Sequence, residues 1–457
     1  MTTLKGSDDA IDNSRTGSPS PPTSDVERAP AAAGRVASVD ALRGLTIFLM
    51  VFVNDLGQAA PKWLHHIQPP DADGMTLADV VFPMFLFIVG VSIPLAFDRA
   101  RAERRSPFAR LFHIITRTLG LLLMGVISND GAADRRLGAP LWELLAYIAI
   151  ILAWCVVPKE HGFKRKCFLF LKAIGAAGLI ALLAIFKSDP RPTDVFLYGR
   201  IDDWTRLQTS WWGILGLIGW AYLTVSILTL ILGRRRERLV GAMWLLMIIH
   251  IALHQGGLLR KVEDKPWLAA AAPLLHAAER TSGAVGKYVS FADATGSLAA
   301  IAMAGCVLGS ILVKGSDVSS HKDRIAWCLT FTIALFVAGC LTDSFEGINK
   351  IAATPAWCFF SASASALIFL FLYLLMDVAR MRGWAFVIRP AGANPLVAYF
   401  LHPILIWSVP LAGFGDRVFA YKHAIDPRLV VGGSLATAMF TCLAAGALGL
   451  LGLRTKL

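Results

Sequence analysis

Charged residues are scarce in this sequence. They make up 17% of the 457 residues, whereas 56% of the residues are hydrophobic and the mean hydropathy is +0.59. This composition excludes a soluble globular protein, in which roughly a quarter of the residues are charged. The apolar residues recur in runs of roughly 18 to 23, the helix length that crosses a bilayer core of ~30 Å. The composition therefore predicts a polytopic α-helical membrane protein.

Motifs that would point to other functions are also lacking. The seven cysteines form no CxxC pair, so neither a disulfide framework nor a zinc site is indicated, and no metal site is expected. The N-terminal residues lack the pattern of a cleaved signal peptide. The net charge of +12 lies largely in short loops between apolar runs. It therefore indicates membrane topology rather than nucleic-acid binding.

Twelve apolar runs are predicted as transmembrane spans. They lie near residues 41–59, 77–97, 110–127, 141–157, 167–186, 211–232, 239–257, 291–313, 326–343, 357–378, 391–411 and 429–453. Every second connection is short and basic, which predicts that both termini are cytoplasmic and that the loop after the first span faces outside. Ten spans are the alternative, if runs such as 110–127 or 391–411 are re-entrant.

The chain divides into a tail and a membrane domain. Residues 1–37 are rich in Ser, Pro, Ala, Asp and Arg and poor in large apolar side chains, which predicts a disordered cytoplasmic tail. Residues 38–457 are predicted to form one all-α domain, a transmembrane helical bundle. The expected location is the cell (inner) membrane, with multiple passes.

Polar side chains lie at the ends of the first span and within it. Asp40 and Arg43 are three apart and share a helix face, where they form either an interfacial ion pair or, for the Arg43 guanidinium, a contact to phosphate. Asn54 lies fourteen residues beyond Asp40, about 21 Å along a straight helix. Its side-chain amide has two alternative roles, an interhelical hydrogen bond or a part in catalysis. An ionisable side chain in hydrocarbon costs at least ~2.5–3.5 kcal/mol, so each such residue is a candidate functional residue.

The following loop carries two adjacent histidines, His65 and His66, and the second span opens with Asp79. Thr76 and Asp79 fit the N-cap and N3 positions of a helix that begins at Leu77, so a helix cap alone could explain Asp79. A neutral imidazole beside a carboxylate in a partly dry cleft is also a plausible general base. Because neighbouring residues point in different directions, only one of the two histidines can approach Asp79.

Motifs along the chain carry a resemblance to a known family. The motifs are SVDALRGLTIFLMVFVN (38–54), GMTLADVVFPMFLFIVGVSI (74–93), LWELLAYIAI (141–150), WGILGLIGWAYL (212–223), FADATGSLAAIAMAGCVLG (291–309), INKIAATPAW (348–357) and GANPLVAYFLH (392–402). Together with the loop histidine they resemble the membrane domain of the heparan-alpha-glucosaminide N-acetyltransferase family and its bacterial relatives of unknown function. The resemblance covers about residues 39 to 411.

The resemblance implies an integral membrane acyltransferase, an acetyl-CoA-dependent N-acetyltransferase. It would move acetyl from cytosolic acetyl-CoA to an amino sugar or glycan group on the outer face. The family's essential loop histidine corresponds to His66, with His65 as the alternative, and would serve as base or acetyl carrier. Asp79 matches the aspartate of the family's ADLVFP motif, and Asn54 matches the asparagine that ends its first span.

The donor would be held by a second set of residues. Arg43 would contact the CoA phosphates at one end of the first span while the thioester reaches His66 at the other. Asn349, Lys350 and Asn394 match polar positions in the later motifs and join Arg43 as candidate cofactor-binding residues. The expected partners are acetyl-CoA, the amino-sugar or glycan acceptor and the lipid bilayer, and a homodimer is left open.

The chain departs from the family in the loop after the histidines. Relatives usually carry a Trp there, whereas this chain has PPDADG at residues 69–74. Aromatic side chains often stack on sugars, so the resemblance does not define the acceptor. A sugar or oligosaccharide transporter is the alternative function, because polar residues in spans and glycine-broken helices are equally expected there.

Overall fold

The computed structural model describes residues 36–69, 72–129, 138–185, 212–254 and 296–455. Within these ranges the regular structure is helical, apart from one isolated bridge between Cys155 and Thr455. The predicted all-α class is therefore confirmed. The predicted tail lies outside the described residues, except for its last two positions.

Twelve helices within the described ranges overlap the twelve predicted spans. They are α1 (Ala37–Asp55), α2 (Leu77–Ala102), α3 (Pro107–Asn129), α4 (Ala139–Ala153), α5 (Phe163–Ile185), α6 (Gly213–Leu232), α7 (Arg236–His254), α8 (Ser297–Ser310), α9 (His321–Glu346), α10 (Pro355–Tyr373), α11 (Pro395–Leu411) and α12 (Pro427–Leu450). Of these twelve described helices, eight are long and apolar enough to cross a membrane, α4, α8 and α11 are apolar but shorter, and α7 falls in neither group. This confirms a polytopic helical bundle, whereas the orientation of the termini stays a prediction.

Helix α1 begins and ends earlier than the predicted span 41–59. The carboxylate of Asp377 accepts the N–H groups of the first two helical residues at 3.1 and 3.0 Å, so the helix starts at Ala37, within the predicted tail. It ends at Asp55, shortly before Gly57. A Cβ on Gly57 would clash with the carbonyl oxygen of Lys422, so glycine permits close backbone contact at this point.

The predicted span 391–411 is two helices rather than one. A short helix, Ile388–Ala393, ends at Asn394, and α11 starts with Pro395. A residue before proline is disfavoured in the helical conformation, and Asn394 has φ −134° and ψ 59°. The other run considered re-entrant, 110–127, lies within the continuous helix α3.

Glycine residues bring α2 and α8 into close contact. A Cβ on Gly90 would lie 1.8 Å from the carbonyl oxygen of Ala302, and one on Gly305 would lie 2.0 Å from that of Phe87. Small residues allow membrane helices to pack backbone to backbone in this way. Every residue of α8 is buried, so α2 is held against the centre of the bundle.

The first two helices define two ends of the bundle. Arg43, near the start of α1, donates a hydrogen bond from Nη2 to Ser92 Oγ of α2 at 3.1 Å. Thirteen residues separate Ser92 from Asp79, which corresponds to about 20 Å along a straight helix. We refer to the end that carries residues 56–69 and 72–76 as the loop end, and to the other as the Arg43 end.

Candidate active site

An imidazole–carboxylate pair lies at the loop end. His66 Nδ1 is 2.8 Å from Asp79 Oδ1. The His66 side chain is 47% exposed, whereas that of Asp79 is 1% exposed. An ionised carboxylate can only accept a hydrogen bond, so Nδ1 donates its hydrogen to Asp79 and Nε2 carries the lone pair. The pair therefore holds His66 in the tautomer that a general base requires.

The two oxygens of Asp79 have different partners. Oδ2 accepts hydrogen bonds from the N–H groups of Thr76 at 3.1 Å and Ile67 at 3.2 Å, and it lies 2.9 Å from the Thr76 hydroxyl oxygen. These contacts cap α2 and fasten the histidine loop to the helix. Oδ1 faces His66. The capping and catalytic interpretations of Asp79 are thus compatible, because each uses a different oxygen.

Lys350 joins this pair from a distant part of the sequence. Its Nζ lies 3.0 Å from His66 Nδ1 and 3.6 Å from Asp79 Oδ1. An ammonium group can only donate, so it cannot bond to a nitrogen that already carries a hydrogen, and it acts here as a charge beside Asp79. Burial lowers the pKa of Lys350, and the Asp79 carboxylate partly offsets this effect. We call His66, Asp79 and Lys350 the loop cluster.

Asn349 and Thr354 shape the turn that presents Lys350. The Thr354 hydroxyl accepts the N–H of Asn349 at 2.9 Å and donates to the carbonyl of Gly347 at 2.9 Å. Asn349 Oδ1 accepts the N–H of Ala352 at 2.8 Å. Asn349 therefore has a structural role in this turn, at the end opposite Arg43.

The same turn is bound to the loop that carries His66. Asp73 Oδ1 accepts the N–H of Ile348 at 2.7 Å, and the N–H of Gly74 donates to the carbonyl of Ile348 at 2.8 Å. Asn349 Nδ2 donates to the carbonyl of Ala72 at 3.2 Å. These three contacts hold Lys350 and His66 in one arrangement.

His65 and Asn54 lie nearby without contacting Asp79. The carbonyl of His65 accepts the Thr76 hydroxyl at 2.5 Å. Its ring nitrogen Nε2 is buried and has no hydrogen-bond partner among the described residues. Asn54 is exposed at the end of α1, which disfavours the buried interhelical bond considered from the sequence. Of the two histidines, only His66 meets the carboxylate.

Arg43 and Asn394 lie at the opposite end. Arg43 Nη1 contacts Asp40 Oδ1 at 3.2 Å, the ion pair that the sequence left open, and the carbonyl of Gly392 at 3.4 Å. Asn394 is buried, donates to the carbonyl of Leu453 at 2.9 Å and accepts the N–H of Thr455 at 3.2 Å. The structure thus separates the four proposed cofactor-binding residues into two pairs at two ends.

A second cluster, which the sequence did not predict, lies at the loop end. Asp55 Oδ1 lies 3.2 Å from His402 Nε2 and 2.7 Å from Lys422 Nζ, and Oδ2 accepts the Tyr421 hydroxyl. Burial and this contact raise the pKa of Tyr421. We call Asp55, His402, Tyr421 and Lys422 the anchor cluster. The feature of the sequence that could have revealed this cluster is Asp55, a carboxylate at the end of the first apolar run.

Fold and site together define the class: a multi-pass helical membrane protein with a buried carboxylate orienting an exposed imidazole. A sequence profile for a domain of unknown function (DUF5009) matches residues 35–197. Over 180 residues the chain is 38% identical to the heparan-alpha-glucosaminide N-acetyltransferase of Mus musculus, covering 35% of this chain and 26% of that protein. Over 126 residues it is 38% identical to that of Homo sapiens, covering 26% and 18%.

These matches confirm the resemblance read from the motifs. The N-terminal part of this chain is related to the heparan-alpha-glucosaminide N-acetyltransferases. The chain matches about a quarter or less of the length of these relatives. The profile match includes His66 and Asp79, whereas Lys350 lies beyond it.

Proposed function

We propose that this protein is an integral membrane acetyltransferase in which His66 is the catalytic base or acetyl carrier. The supporting observation is the 2.8 Å contact between Asp79 Oδ1 and His66 Nδ1, with the imidazole half-exposed and the carboxylate buried. A general base needs a fixed tautomer and a free lone pair within reach of substrate. His66 meets both needs.

The proposed reaction converts a thioester and an amine into an amide and a thiol. The amine nitrogen attacks the thioester carbonyl carbon, and His66 Nε2 takes the proton that the nitrogen loses. The C–S bond then breaks, and the imidazolium returns the proton to the leaving thiolate. If His66 is instead an acetyl carrier, Nε2 first displaces the thiolate to give an acetyl-imidazolium. The amine then attacks its carbonyl carbon, the C–N bond to the ring breaks, and the proton lost by the amine passes to the thiolate. In both routes Asp79 stabilises the positive charge on the ring.

Acetyl-CoA is the proposed donor, and an amino sugar or glycan amine is the proposed acceptor. The relatives are named as N-acetyltransferases of a glucosaminide, which supports this chemistry. The spacing between Arg43 and the loop cluster, about 20 Å along α2, is comparable with the length of an extended CoA. Arg43 would then have to exchange its contact with Asp40 for a phosphate oxygen.

The test is acetyl transfer by the purified chain. Labelled acetyl-CoA and a panel of amino sugars should give labelled N-acetyl sugar, and the His66→Ala variant should give none. His65→Ala is the matched control. Rapid denaturation at neutral pH before the acceptor is added distinguishes the routes, because only the carrier route leaves label on the protein. Absence of transfer to every amine in the panel would contradict the proposal.

Transport of sugars is the alternative, and reconstituted vesicles distinguish it. Uptake of an unmodified sugar without acetylation would favour transport. The proposed direction of transfer also requires the loop end to face outside. Single cysteines placed at Ala72 and at Arg105 should react with impermeant reagents from opposite sides of the membrane in intact cells. A cytoplasmic Ala72 would contradict that direction.

A further inference from the structure

Three arginines line a pocket at the Arg43 end that the proposed reaction does not use. They are Arg101 of α2, Arg110 of α3 and Arg234 after α6. The pocket also has an apolar wall. That wall includes Phe97, Leu230 and Val313.

This pocket is distinct from the surroundings of Arg43. Ser92 of α2 contacts Arg43, whereas Phe97 and Arg101 of the same helix line the pocket. They follow Ser92 by five and nine positions, which at 3.6 residues per turn places them about 140° and 180° around the helix from it. Arg43 and the pocket therefore lie on opposite faces of α2.

The pocket has an excess of positive charge. Arg234 pairs with Asp98, so one of the three guanidinium groups has a carboxylate partner. Arg110 Nε is buried and has no hydrogen-bond partner among the described residues. Carboxylates described on the flanking loops are paired elsewhere, Glu103 with Arg105 at 2.7 Å and Asp317 with Arg236.

A buried donor without an acceptor is destabilising, and an anion is the natural acceptor beside several guanidinium groups. The planar fork of arginine matches the oxygens of phosphate, and several arginines together select a group that carries more than one such oxygen. The apolar wall suits a hydrocarbon portion attached to the anion. These features distinguish the pocket from a solvated basic surface.

We propose that this pocket binds a phosphate group. The group would come either from the head of an anionic phospholipid or from a soluble phosphate compound, since both offer the same oxygens to the three arginines. The proposal rests on the pocket alone and does not require acetyl transfer.

The experiment measures ligand-dependent thermal unfolding of the purified full chain by tryptophan fluorescence. One arm titrates sodium pyrophosphate, and the other adds phosphatidylglycerol or, for comparison, phosphatidylcholine in mixed micelles. We expect the unfolding midpoint to rise in at least one arm. Arg110→Gln should weaken the apparent affinity by roughly tenfold or more, the effect of a lost charged hydrogen bond.

Arg99→Gln is the matched control, because it removes the same charge from an exposed residue of α2 outside the pocket. It should keep the wild-type affinity. A response to phosphatidylglycerol but not to pyrophosphate assigns the site to lipid, and the reverse assigns it to a soluble phosphate. Three results would each overturn the proposal. They are an equal loss of affinity in Arg110→Gln and Arg99→Gln, an unfolding midpoint that rises in neither arm, and an unchanged affinity in Arg110→Gln. If Arg110→Gln does not fold, Arg101→Gln replaces it with the same expectations.

Discussion

The loop cluster and the anchor cluster contain the same three kinds of side chain at the same end of the bundle. In each, a buried carboxylate contacts an imidazole and a lysine ammonium. The histidines differ in exposure, 47% for His66 and 12% for His402. The lysines differ in their distance from the carboxylate. Lys422 Nζ is 2.7 Å from Asp55 Oδ1, whereas Lys350 Nζ is 3.6 Å from Asp79 Oδ1.

The bonded ring nitrogens also differ. His66 contacts its carboxylate through Nδ1, which leaves the outer nitrogen Nε2 for substrate. His402 contacts its carboxylate through Nε2, which leaves only the nitrogen nearest the backbone of α11. A histidine on a loop can thus combine a buried partner with an open nitrogen. In the anchor cluster the same pair fastens α11 to the end of α1, and Tyr421 and Lys422 add the segment before α12.

The largest expected effect is on catalysis in the loop cluster. His66→Ala should reduce acetyl transfer by ~100-fold or more, the scale of a lost general base. The chain should still fold, with a loss of about 1–3 kcal/mol in stability, because Asp79 keeps its three other polar contacts when the imidazole is removed. Turnover with the best acceptor, together with monodispersity, measures both. His65→Ala should lose far less, and near-normal turnover in His66→Ala would refute the mechanism.

The anchor cluster should respond in stability instead. Asp55→Ala removes the partner of His402, Lys422 and Tyr421 and should cost about 3 kcal/mol of unfolding free energy, as expected when a buried charge loses its partner. Unfolding by added sodium dodecyl sulfate in mixed micelles gives this value. The control is the exposed neighbour, Asn54→Ala, which should change stability by less than about 0.5 kcal/mol. Equal stability of the two variants would remove the distinction between the clusters.

Asp79→Asn should have an intermediate effect. The amide keeps the size of the side chain and can still accept the ring hydrogen, but it cannot stabilise an imidazolium by charge. We expect turnover to fall by roughly tenfold, between the His65→Ala and His66→Ala values. A loss as large as that of His66→Ala would mean that Asp79 takes part in the chemistry directly. No loss would reduce Asp79 to a helix cap.

The smallest expected effect concerns Lys350 and pH. Burial lowers its pKa from 10.5, so the unfolded chain binds this proton more strongly than the folded chain. The free energy of unfolding therefore rises as the pH approaches 10.5, because the folded chain loses the Lys350 proton at a lower pH than the unfolded chain does. The unfolding midpoint of the wild type, relative to Lys350→Met, should rise between pH ~8 and ~10. Lys62→Met, at an exposed lysine of the first loop, should show no such trend.

Much of the fold follows from local signals. Hydrophobic run length predicted the approximate positions of the helices, and the pair Thr76 and Asp79 predicted the start of α2 at Leu77. His66 could be preferred from the family motif, and the structure places it against Asp79. The ends of α1 were misjudged because a distant carboxylate caps its start, and the break at Asn394 was missed although Pro395 signals it.

The sequence by itself determined the membrane-helix class, the approximate spans and the loop that carries the imidazole, because run length and capping depend on neighbouring residues. Only the tertiary structure decided which polar groups meet. Lys350 contacts a histidine 284 positions away, and His402 contacts a carboxylate 347 positions away. Such contacts depend on helix packing, through close approaches such as that of Gly90 to Ala302, and no local periodicity encodes them. Packing therefore made one carboxylate–histidine–lysine set a candidate active site and the other an anchor.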